Sequence, residues 1–91
     1  MTVQQTSIEA YKYAIKSLNK KQMAVLQALK DNGPSTDREL CEKYGFERNT
    51  VPARRGELVR LGLVCETGIR LDNVSKRKAL VWQAIYPKEL L

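Results

Sequence analysis

Eight of the chain's 16 lysines and arginines lie between residues 48 and 78: Arg48, Arg54, Arg55, Arg60, Arg70, Lys76, Arg77 and Lys78. Only Glu57, Glu66 and Asp72 oppose them there. The chemistry open to such a set is recognition of anions. A guanidinium offers parallel donors to a phosphate or a guanine edge, and clustered cations gain free energy by releasing counterions condensed along a polyanion. The surplus of five in that stretch contrasts with residues 1–47, where seven cations meet six acids. Net charge is +6 and the pI is near 9.6. The asymmetry, more than the total, points to a polyanionic partner; a merely solubilising surface is the competing explanation.

Other chemistries find little to work with. The chain has no histidine, no phosphate-cradling glycine loop and no metal-ligand cluster, and its acids are scattered over helix caps and surfaces, so neither catalysis, a cofactor nor a metal is expected. The two cysteines, Cys41 and Cys65, read as small reduced core residues, with a redox switch as the alternative. At 91 residues the expectation is a single domain over 1–91. No apolar stretch approaches a membrane span, and "MTVQQTSIEAYKY" lacks the layout of a signal peptide, so a cytoplasmic location is expected.

The cations need elements to carry them, and period and caps mark these out. Over residues 6–18, Ile8, Tyr11, Ala14, Ile15 and Leu18 recur at helical spacing, the stripe of an amphipathic helix. Asn19 and Gln22 have the types and spacing of a capping box, opening a second helix with Met23, Val25, Leu26 and Leu29 inward. "DNGP" closes it, with Gly33 suited to a left-handed position. "TDRE" is a second capping box, from Thr36 to Glu39, starting a short helix that turns Leu40, Cys41 and Tyr44 inward and stops at Gly45. Asn49 is placed to cap a fourth helix, with Pro52 in the first turn, where an N–H has no intrahelical acceptor. Val51, Leu58 and Leu61 are its inward residues, and Thr50, Ala53, Arg54 and Glu57 its outward ones. Beyond Gly62 the period changes. "LVCETGIR" and "ALVWQAIY" read as an antiparallel hairpin joined by the basic "LDNVSKRK", with Leu80, Trp82, Ala84 and Tyr86 on one face.

With these elements in order, residues 39–64, "ELCEKYGFERNTVPARRGELVRLGLV", resemble the winged helix-turn-helix family of DNA-binding domains. Cys41, Gly45, Val51, Leu58 and the "GLV" exit carry the likeness, which spans about residues 19–86. It implies an α+β fold, a three-helix core with a C-terminal antiparallel β-hairpin wing, to which helix 6–18 is an addition. The family includes transcription regulators and small phage-encoded DNA-binding proteins. The implied function is sequence-preferring binding of double-stranded DNA, with helix 49–61 in the major groove and the 71–78 wing on flanking backbone or minor groove.

On that resemblance Arg54 is the expected base reader, with Thr50, Ala53 and Glu57 completing the readout and Asn49 either capping or contacting a phosphate. Arg48 and Arg60 fall to phosphates, as do Arg70, Lys76, Arg77 and Lys78 of the wing. Gly56 costs about 1 kcal/mol relative to alanine, and a small residue there permits close approach. Arg55 stands where related domains carry an aliphatic residue: either its guanidinium reaches a phosphate or it pairs with an acid of the preceding helix such as Glu39 or Glu42. Trp82 is read as core. The stripe of Ile8, Tyr11, Ile15 and Leu18 either joins two copies into a homodimer or covers the domain's own flank. The competing function is a winged-helix module that binds an acidic protein partner.

Overall fold

The computed structural model describes residues 8–87, an α+β arrangement of four helices followed by a two-stranded antiparallel hairpin. The elements are α1 (Ile8–Lys16), α2 (Lys20–Asn32), α3 (Asp37–Tyr44), α4 (Thr50–Arg60), β1 (Val64–Leu71) and β2 (Lys78–Ala84). Residue 6, the expected start of the first helix, lies outside the described residues. None of the described helices is long and apolar enough to cross a membrane.

Both capping boxes form. The Asn19 side chain accepts from Gln22 N–H at 2.8 Å, and the Gln22 side chain accepts from Asn19 N–H at 2.9 Å. Thr36 and Glu39 do the same at the start of α3. Gly45 ends α3 in the left-handed conformation, φ 73° and ψ 23°, and its N–H donates to Cys41 O at 2.9 Å. Gly33 also has positive φ, but its ψ of −165° extends the chain instead of curling it. The strand-like Ser35 follows, exchanging both backbone hydrogen bonds with Trp82 at 2.8 and 2.9 Å and so tying the α2–α3 link to β2.

Val25, Leu26, Leu29, Leu40, Val51, Leu58 and Leu63 form the dry centre between α2, α3, α4 and the hairpin. Several expected inward residues differ. Met23 and Tyr44 are exposed, Tyr44 lying against Phe46 with ring centroids 6.3 Å apart. Leu61 is 44% exposed because the chain turns off the helix before it can point inward: Leu63 N–H donates to Leu58 O at 2.9 Å, and Leu63 enters the core in its place. On β2, Trp82 and Ala84 pack against the core as expected, whereas Leu80 is exposed and Val81 buried; just past the strand Ile85 is buried and Tyr86 exposed. A β-bulge between Glu66 and Gly68 shifts the register there, and Leu80, which lies beyond it, is exposed opposite Ile69 on the ladder.

Helix α1 is spent on the chain itself. Tyr11 is buried, and Ala14, Ile15 and Leu18 pack against the core. Lys30 Nζ sits 5.5 Å from the ring centroids of both Tyr11 and Tyr86, joining α1, α2 and the segment after β2. Of the expected stripe, Tyr11, Ile15 and Leu18 pack on the domain's own flank.

Candidate nucleic-acid interface

The outer side of α4 is a ridge of mostly small residues that also carries one cation, Arg60. Val51 and Leu58 anchor the helix inward, so that Pro52, Ala53, Val59 and Arg60 are exposed on the opposite side with Gly56 half-buried among them. Asn49, just before the helix, is exposed and makes no side-chain capping bond; instead Thr50 N–H donates to Glu47 O at 3.0 Å. The expected cap is therefore a backbone turn, and the Asn49 amide is not committed to one. A β-carbon placed on Gly56 would have Arg60 Nη1 at 3.9 Å as its nearest neighbour, an ordinary contact, so nothing in the fold demands glycine there.

Cations flank this ridge on both sides. Lys20 and Lys21, at the start of α2, share a surface groove with Gly45, Glu47 and Thr50. On the other side Arg38 of α3 and Arg48 share a groove with Cys41, Asn49 and Pro52 and with two acids, Glu42 and the Arg55-paired Asp37. Lys20, Lys21, Arg38 and Arg48 are exposed. Lys20, Lys21 and Arg38 were not among the residues expected from the sequence. A signal was present: α2 opens on two lysines with no acid in its first turn, against the preference of a helix N-terminus for negative charge.

Thr50, Arg54 and Glu57 sit about a quarter-turn from the ridge, on the flank facing α2. Glu57 accepts from Gln22 Nε2 at 2.9 Å, and Arg54 Nε lies 3.0 Å from Glu57 Oε1, buried and without hydrogen-bond alignment. Arg55 is fixed at the junction of three elements. Its Nε and Nη2 donate to Asp37 Oδ1 and Oδ2 at 3.1 and 2.7 Å, and its Cζ stacks 4.0 Å from the Trp82 ring centroid. Of the two fates considered for Arg55 it takes the ion pair, and the acid is Asp37 rather than Glu39 or Glu42.

The hairpin is held by two buried carboxylates. Arg70, expected at a phosphate, donates instead through Nη1 and Nη2 to the two Glu39 oxygens, each at 2.6 Å. Glu39 also accepts from Asn73 N–H at 2.9 Å and Thr36 N–H at 3.1 Å. The Arg70 bond, opposed by burial and aided by those N–H groups, lowers the Glu39 pKa from the ordinary 4.5 to about 2. Burial pushes Asp72 up, but bonds from Ser75, the Thr36 hydroxyl and Val74 N–H outweigh it and leave its pKa lowered. Burial pushes both cysteine thiols up, away from the thiolate that reactive chemistry needs.

This lock presents Lys76, Arg77 and Lys78 at the exposed end of the hairpin. Lys76 has φ 62°, a left-handed conformation that a side-chain-bearing residue adopts at a cost of about 1 kcal/mol. Lys76→Gly is expected to raise stability by about 0.5–1 kcal/mol in urea unfolding. A fall in stability would show that the lysine has a folding role of its own. Among the described residues no group of three or more histidine, cysteine, aspartate or glutamate side chains could hold a metal ion. No protein-family model matches the chain, and no curated protein does.

Proposed function

We propose that the chain is a winged helix-turn-helix protein that binds double-stranded DNA, with α4 in the major groove and the hairpin as a wing on the flanking backbone or minor groove. One observation carries this reading: the uncovered outer ridge of α4 is built from small residues with Arg60 as the cation among them, and cations of α2 and of the α3–α4 corner border it on both sides. A major groove has this layout in complement, with base edges on its floor and phosphates along both rims. Asn49, Ala53 and Arg60 face the bases in this arrangement, with Pro52 and Gly56 allowing the backbone close. Lys20, Lys21, Arg38 and Arg48 take phosphates. Arg54 and Glu57 support the helix from the side of α2, and Arg55 and Arg70 hold α4 and the wing in place. The biological role this suggests is a transcription regulator, a repressor or a small phage-type protein acting in the cytoplasm. No pairing through α1 is required.

Selection of bound fragments from random duplexes, followed by titration over a range of salt, tests the reading. The expected result is an enriched sequence and an affinity that falls steeply with salt, by about 0.9 in log–log slope per phosphate contacted. Absence of duplex retention at low salt would end it.

Gly56→Ala separates fold from function. Alanine is favoured over glycine in a helix by about 1 kcal/mol, and the space beside Gly56 is open. Thermal unfolding is expected at higher temperature, while affinity for the selected duplex falls because the added methyl stands on the approaching face. Unchanged affinity would move the contact off this ridge.

A further inference from the structure

The hairpin exposes more than cations. Ile69 and Leu71, two apart on β1 and therefore on one side of it, are 64% and 62% exposed, and Leu80, 42% exposed, pairs across the ladder with Ile69. Leu71 pairs with Lys78, so this aliphatic face runs directly into the cationic end of the hairpin. The acid within residues 67–78 is Asp72, which is buried and bonded to Thr36, Val74 and Ser75. The face is also rigidly held, since Arg70, on the intervening position of β1, is clamped to Glu39. A solvated strand face normally carries polar residues, and three aliphatics beside three unopposed cations need a partner that is both apolar and anionic.

We propose that this face is a minor-groove wedge: Ile69, Leu71 and Leu80 press on the deoxyribose walls and a base step while Lys76, Arg77 and Lys78 hold the adjacent phosphates, so that the bound duplex is bent. The proposal rests on the DNA-binding reading above and adds to it a deformation of the DNA. Charge complementarity selects this occupant. A second copy of the chain would bring like charge to the face, whereas a groove lined by sugars and bordered by phosphates offers both chemistries. Insertion of aliphatic side chains typically kinks a duplex by roughly 20–90°, most readily at a pyrimidine–purine step. A preference for TA or CA steps beside the major-groove site follows.

The test uses a short duplex bearing the selected site, labelled at both ends for energy transfer, with the full chain at saturating concentration. The variant Ile69→Thr/Leu71→Thr/Leu80→Thr keeps strand propensity and alters only exposed positions. Binding retained with the bend lost, and Lys76→Ala/Arg77→Ala binding more weakly yet still bending at saturation, is the expected result. Leu71→Ile should keep the bend. A wild-type complex that is bound but straight, or a threonine variant that bends as wild type does, overturns the wedge and leaves the groove reading standing. Failure of the wild type to bind any duplex overturns both. Binding to vesicles of anionic phospholipid that the threonine variant loses would assign the face to lipid and overturn the wedge.

Discussion

Glu39→Ala is expected to lower stability by about 2–3 kcal/mol and to release the hairpin from α3, because one substitution removes the buried acceptor that Arg70, Asn73 N–H and Thr36 N–H share. Arg70 loses both of its 2.6 Å bonds, Asn73 N–H its acceptor, and Thr36 the reciprocal half of its capping box. Hydrogen exchange should accelerate at amides 70–77 more than in α2. Equal acceleration throughout would mean that the carboxylate supports the whole domain and not the hairpin. The same group sets an acid response. A carboxylate whose folded pKa lies below its unfolded value contributes fully above the unfolded value and loses that contribution as pH falls toward the folded one. For Glu39 the window runs from 4.5 down to about 2. The Arg70 side chain is 40% exposed, so water moderates the pair, and the loss across the window is expected to be about 2 kcal/mol. Asp72, also lowered, adds a loss of the same sign. Glu39→Gln should flatten the acid limb of stability against pH, and an unchanged limb would place the titration elsewhere.

Lys20→Ala/Lys21→Ala is expected to weaken duplex binding by about 10–100-fold at moderate salt and to reduce the log–log salt slope by about 2. The fold should tolerate the change. These lysines stand at a helix N-terminus, where positive charge is unfavourable, so stability should stay level or rise by a few tenths of a kcal/mol. Lys12→Ala, on an exposed position of α1, serves as the comparison and should leave the slope unchanged. An equal effect from Lys12→Ala would reduce the flank to general surface charge. Together with Gly56 and Lys76, the pair makes a set of positions where residues more favourable to local structure were available and are absent.

The two capping boxes and the Gly45 stop could be read from the sequence because each is decided by residues within a turn of one another. Orientation of side chains on α4 could not. A reader takes polar residues as outward, which selects Thr50, Arg54 and Glu57, yet Glu57 meets Gln22, 35 positions earlier, and only tertiary packing brings them together. Leu61 looked like a third anchor by spacing, and the exit turn that substitutes Leu63 depends on where β1 begins. Arg55 was recognisable as anomalous, and its need for an acid followed from burial of charge. Which acid depended on the angle between α3 and α4, which spacing does not encode. The Arg70–Glu39 clamp was missed for the same reason: a basic residue in a basic hairpin gave no sign that its partner lay 31 positions away.

The Arg55 stack has a practical corollary. Trp82 is the sole tryptophan, and it sits under a guanidinium that α4 extends and α3 neutralises, on a strand that also bridges to Ser35. Its fluorescence therefore reports, without any attached dye, whether the helical body and the hairpin keep their mutual docking. Any occupant that tilts α4 against β2 will announce itself as a change in indole emission.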